Sequence, residues 1–187
     1  EEAAKRELYI SVNISPRQFR SDKFLDVLDD ALALSGMPGK KLVLEITEGT
    51  LMVDPQHAET ILHKMAERQA RIAIDDFGTG YSSLAYLKRF PISVLKIDRA
   101  FVKDLPGAPK EAAICSAVLD MARHLDLSVV AEGVETEEQL GWLQQRDCRY
   151  IQGYLTGRPM PAKAALAALQ DNLYTSLLPP ERPASTP

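Results

Sequence analysis

Short apolar runs that each end in one polar residue recur along this chain: Tyr9-Ile-Ser-Val-Asn13, Leu42-Val-Leu-Glu45, Ile72-Ala-Ile-Asp75, Val94-Leu-Lys96, Val129-Val-Ala-Glu132 and Tyr150-Ile-Gln152. Runs of this length, without alternation, suit strands buried on both faces, and such strands belong to parallel sheets with helical crossovers. The stretches between them carry helical spacing. Asp54 stands as a cap before Pro55, and Ala58, Ile61, Leu62, Met65 and Ala66 then share one face. Phe24, Leu28, Ala31 and Leu32 form another stripe, as do Ile114, Val118, Met121 and Leu125. Thr136 with Gln139 reads as a capping box ahead of Leu140 and Leu143, and the alanine-rich stretch 162–169 is a last helix. These stripes, with Trp142 and the methionines, read as core. Strand and helix alternate throughout, which predicts a (β/α) barrel of the TIM-like type. In such a barrel the C-terminal strand ends form one mouth, so Asn13, Glu45, Asp75, Asp76, Lys96, Glu132 and Gln152 converge on one pocket.

The sharpest local signal lies between Arg71 and Tyr81, where an apolar strand runs into two adjacent carboxylates and a glycine-bearing loop. Successive strand residues point to opposite sides, so Asp75 and Asp76 reach one ion, or one each, only where the strand ends and the backbone turns. Two-metal hydrolytic sites are often built this way. A solvated strand-to-turn corner is the alternative, since Asp and Gly are ordinary turn formers. Lys96 at a strand end also admits a Schiff-base barrel enzyme. Carboxylates at the neighbouring strand ends would, however, keep that amine protonated.

Length and composition then narrow the class. At 187 residues, with 45% hydrophobic and 26% charged positions, the chain suits one globular domain. That domain spans 1–172, and the Pro-, Ser- and Thr-rich stretch 173–187 reads as a flexible tail. No apolar run approaches the roughly 20 residues of a membrane span, and no secretory leader is visible. A cytoplasmic setting is therefore expected. Net charge of −4 and a pI near 5.5 leave no electrostatic footprint for long nucleic acid. Cys115 and Cys148 lack ligand spacing and read as buried, reduced thiols. His57, His63 and His124 fall in helices away from the strand ends, which argues against histidine-ligated zinc.

Six motifs together resemble one family. Ser11-Val-Asn-Ile-Ser15 with Gln18, Glu45-Ile-Thr-Glu48, Asp75-Asp-Phe-Gly-Thr-Gly-Tyr81, Leu95-Lys-Ile-Asp98, Glu132-Gly-Val-Glu135 and Gln152-Gly-Tyr154 resemble, in order, the signature of EAL-domain cyclic di-GMP phosphodiesterases. The resemblance covers about Tyr9 to Leu166. It implies an α/β barrel of bacterial signalling proteins that uses two ions of magnesium or manganese to open cyclic di-GMP to linear pGpG. It further implies metal ligation by Asn13, Glu45, Asp75 and Asp76, and a water held and activated by Lys96 and Glu132. Chain order then places Lys96 and Glu132 across the ions from Glu45. Gln152, Glu135, Gly153 and Tyr154 would contact substrate, and Glu48 would anchor the loop Phe77, Gly78, Thr79, Gly80. A homodimer and upstream sensory or diguanylate-cyclase-like domains are implied as partners, in a parent protein open to tethering at the inner membrane.

The Glu-Ala-Leu triplet that names the family occurs nowhere here, and the resemblance places it on a strand ahead of Asn13. The expectation is a barrel lacking its first strands and first helix. A nucleotide-binding receptor without catalysis is the alternative function; the intact loop after Asp76 favours the enzyme. Alone, this stretch is expected to hydrolyse little and to seek a strand partner along its open edge.

Overall fold

The computed structural model describes residues 8–78, 80 and 84–170. Thr79, Tyr81 and the expected tail at 173–187 lie outside them. Six strands form one sheet: β1 (Ile10–Asn13), β2 (Leu42–Thr47), β3 (Arg71–Phe77), β4 (Val94–Ile97), β5 (Ser128–Glu132) and β6 (Tyr150–Gln152). Every neighbouring pair is parallel and spatial order equals chain order. The sheet curls into a half-barrel, the arc expected of a TIM-like fold that carries part of its strands. Helices α1 (Pro16–Phe19), α2 (Phe24–Ser35), α3 (Glu48–Val53), α4 (Pro55–Glu67), α5 (Leu84–Leu87), α6 (Arg99–Val102), α7 (Pro109–His124), α8 (Glu137–Gln144) and α9 (Ala162–Gln170) fill the connections. Among the described residues no helix is long and apolar enough to cross a membrane.

The sheet's two faces differ in a way that the apolar runs conceal. Ile46, Ile72, Ile74, Leu95 and Ile97 face the helices and are almost wholly inaccessible, packed with Leu51, Leu62, Met65 and Leu143. Each such side chain contributes about 1.5–3 kcal/mol by leaving water. The concave face carries a separate small cluster of Val43, Ala73 and Val94, with Val130 against it. Two residues further along these same strands stand Glu45, Asp75, Lys96 and Glu132. Because side chains alternate across a strand, those four must also face inward, one layer nearer the mouth.

The helix starts follow their caps: Asp54 Oδ1 accepts from His57 N–H at 3.1 Å, and Thr136 Oγ1 accepts from Gln139 N–H at 3.2 Å. Two expectations are corrected. Burial on both faces holds for the inner strands but fails for β1 and β6, which among the described residues have a neighbour on one side only; Tyr9, Ile10, Val12 and Tyr150 stay exposed. In α7 the buried face is Cys115, Val118, Leu119 and Ala122. Val118 and Met121 of the expected stripe pack into the core, whereas Ile114 is exposed and Leu125 lies past the helix end.

Candidate active site

Lys96 Nζ sits at the centre of the concave mouth. It stands 2.6 Å from Glu45 Oε2, 2.9 Å from Asp75 Oδ1 and 2.6 Å from Glu132 Oε1. All four face inward near the strand ends, but in stagger: Asp75 lies two residues beyond Ala73, the register partner of Glu45, and Glu132 two beyond Val130, the partner of Lys96. The curl brings their side chains together. Burial by itself would draw the Lys96 pKa down, but hydrogen bonds to Glu132, Glu45 and Asp75 outweigh it and hold it well above the usual lysine range. A protonated amine is no nucleophile, so the Schiff-base alternative finds no support. Lys96 does not lie across from Glu45, as chain order suggests; it touches it, because inward side chains of a curved sheet converge.

Asp76 follows Asp75 and would point outward on a regular strand. Its φ of 54° is left-handed, and the β3–β4 register shifts between Ile74 and Phe77. This twist turns the second carboxylate toward the mouth, with Asp76 N–H donating to Asp75 Oδ1 at 3.1 Å. Burial, then the charges of Asp75 and Asp98, push the Asp76 carboxyl above its usual range, with Lys96 opposing. Burial likewise raises Glu132, against the pull of Lys96. Asp75, Asp76 and Glu132 each offer an oxygen within 4.8 Å of the others. Three oxygen donors that resist sharing one small space fit a hard divalent cation such as magnesium or manganese.

The loop after β3 rests on Glu48, whose residue is 2% exposed. Glu48 Oε2 accepts from Gly78 N–H at 3.0 Å, while Oε1 has no partner among the described residues. A methyl group at Gly80 would stand 2.9 Å from that Oε1, so glycine lets the loop approach. Phe77, the last residue of β3, is buried.

Around the rim, Asn13 is exposed and pairs in register with Glu45. Gln152 pairs in register with Glu132, and Gly153 and Tyr154 continue from it. Tyr154 is half-exposed, with the Arg158 guanidinium 4.2 Å above its ring. Glu135 receives Arg99 Nη2 at 3.0 Å. Gly133, at φ 68°, lies beneath the Arg99 side chain, which occupies the place a Cβ would take. The structure thus gathers Glu45, Asp75, Asp76, Lys96 and Glu132 at the centre, with Asn13, Glu135, Gln152, Gly153 and Tyr154 around them. Sequence reasoning quoted Asp98 within a motif without giving it a role, and passed over Arg99. Their signal was position: both follow directly on the end of β4.

The EAL domain family model matches residues 1–159. The Pseudomonas aeruginosa bifunctional diguanylate cyclase/cyclic di-GMP phosphodiesterase MucR is 46% identical over 160 residues, which are 86% of this chain and 23% of that protein. The chain therefore spans about a quarter of this relative's length. The solved MucR phosphodiesterase in complex with cyclic di-GMP superposes with a TM-score of 0.82 at 46% identity, over 84% of this chain and 64% of that one. Klebsiella pneumoniae BlrP1, solved with manganese and cyclic di-GMP, superposes with a TM-score of 0.76 at 31% identity, over 84% of this chain and 41% of that one. With its six motifs in place on a half-barrel of the same arrangement, this chain belongs to the EAL domain family.

Proposed function

We propose that this domain is a divalent-metal-dependent phosphodiesterase that opens cyclic di-GMP to linear pGpG. The observation that carries the reading is the inward layer of Glu45, Asp75, Lys96 and Glu132 with Asp76 turned toward it. Four carboxylates would repel a phosphodiester by themselves. Asn13, Glu45, Asp75 and Asp76 are the residues to hold two ions of magnesium or manganese, with Glu132 close enough to join them. When bound, such ions neutralise the phosphate and lower the pKa of a water molecule.

The remaining roles belong to the chain itself. Lys96 stays protonated and holds Glu45, Asp75 and Glu132 in one geometry; its ammonium is also the donor that orients the attacking water. Glu132, raised in pKa by burial, is the acceptor for that water's proton. Gln152, Glu135, Gly153 and Tyr154 line the rim where the nucleotide binds. Glu48 anchors the loop over the mouth. MucR combines a cyclase with its phosphodiesterase, and neighbouring modules are proposed here too, with the domain acting as a homodimer in the cytoplasm.

The test is chromatographic. Cyclic di-GMP incubated with the complete domain of the parent protein and magnesium or manganese is expected to yield pGpG, and chelation to stop it. Tight binding with no product under either ion would make the domain a receptor instead.

A further inference from the structure

Residues 133–136 connect Glu132 at the end of β5 to α8, and they are held from two sides. Toward β6, Val134 N–H donates to Gln152 O at 3.1 Å and Val134 O accepts from Leu155 N–H at 3.0 Å. Toward α6 the link is Gln139, a polar side chain whose residue is only 4% exposed. Its Oε1 accepts from Glu135 N–H at 2.7 Å and from Thr136 N–H at 3.0 Å. Its Nε2 donates to Lys103 O at 2.9 Å, just past the end of α6. Helix α6 in turn follows directly on Lys96, Ile97 and Asp98.

A capping box needs only the acceptor, and glutamate serves it as well as glutamine. The bond to Lys103 O is therefore surplus to capping, and it requires an amide, because a carboxylate has no N–H to donate. A second link between these elements, Arg99 to Glu135, is largely exposed and correspondingly weak. We propose that Gln139 is a positioning residue: its amide N–H clamps the β5–α8 loop to α6, so that Glu132 and Glu135 keep a fixed reach from Lys96. This rests on the phosphodiesterase reading, in which Glu132 and Lys96 act on the same water. Misplacing reacting groups by about 1 Å costs on the order of a hundredfold in rate.

Gln139→Glu separates the two functions, because it keeps both accepted bonds and loses the donated one. In the complete domain with manganese, kcat for cyclic di-GMP is expected to fall by about ten- to a hundredfold with KM within about threefold. Amide hydrogen exchange in 133–136 should quicken while the protection of α8 is unchanged. If the buried carboxylate unfolds the domain, Gln139→Met, which loses clamp and cap together, is compared with Thr136→Val, which loses only the Thr136 half of the cap; equal kcat losses in the two overturn the clamp. Wild-type kcat with unchanged exchange overturns the clamp. So does a loss of rate that appears only together with loss of α8 protection, since Gln139 would then be a helix cap and nothing more. A wild-type chain that neither binds nor hydrolyses the nucleotide defeats the phosphodiesterase reading instead, and the exchange comparison still decides the clamp.

Discussion

Lys96 Nζ on β4 reaches past β3 to stand 2.6 Å from Glu45 Oε2 on β2. Both side chains are nearly inaccessible, at 4% and 7%. An ammonium has three N–H donors and here meets three carboxylates, at 2.6, 2.9 and 2.6 Å. A planar guanidinium has its donors in a fixed fork and would not suit three acceptors arranged around a point. The lysine is thus the internal counter-charge of a cluster that otherwise repels itself.

Lys96→Met is expected to cost the metal-free protein about 3–5 kcal/mol, as removal of one partner from a buried ion pair does. Magnesium or manganese should restore part of that loss in urea unfolding curves. Turnover should fall far more than nucleotide affinity, measured by pGpG release and calorimetry. Equal losses in both would make Lys96 a simple phosphate contact.

Divalent cations at about one hundred times their Kd should stabilise the wild-type domain by about 2.7 kcal/mol. Asp75→Asn should abolish that gain and lower turnover by about a thousandfold or more, the scale on which loss of a metal-centred step acts. Thermal melts with and without manganese check the first part. A variant that melts higher with metal and keeps its rate shows that Asp75 is not a ligand.

Gly80→Ala places a methyl 2.9 Å from Glu48 Oε1 and must move the loop or the carboxylate. The expected result is a turnover loss of about tenfold with little change in melting temperature, because the loop contributes little to the core. An unchanged rate would separate the Glu48 contact from function.

Both thiols are pushed up by burial, Cys115 to about 12 and Cys148 to about 11 from an ordinary 9.0. Above about pH 8.5 the unfolded thiols lose protons that the folded ones keep, so stability falls as pH rises through this window and is fully present below it. The slope is at most about 1.4 kcal/mol per pH unit for each thiol. Lys96, also raised, acts in the same direction at still higher pH. Denaturant curves at pH 7, 8.5 and 10 should show the fall, and Cys148→Ala should flatten it. An identical slope in that variant would remove Cys148 as its source.

The repeating apolar runs and their polar ends are local features, and all six strands appear where the sequence places them, within two residues at either end. The caps at Asp54 and Thr136 are equally local, since a side-chain acceptor three residues from its N–H donor needs no tertiary help. Inward placement of Glu45, Asp75, Lys96 and Glu132 was legible too, because strand periodicity alone puts them two residues beyond Val43, Ala73, Val94 and Val130. What periodicity does not carry is distance across strands. Lys96 meets Glu45 over a separation of 51 residues because both face inward near the ends of neighbouring parallel strands, and curvature brings side chains two register positions apart together. Asp76 faces the mouth through a left-handed backbone and a register shift, and Arg99 finds Glu135 because two strand-end loops lean together. Burial of β1 and β6 likewise depended on neighbours on both sides, and a strand's own residues cannot say whether those neighbours are present.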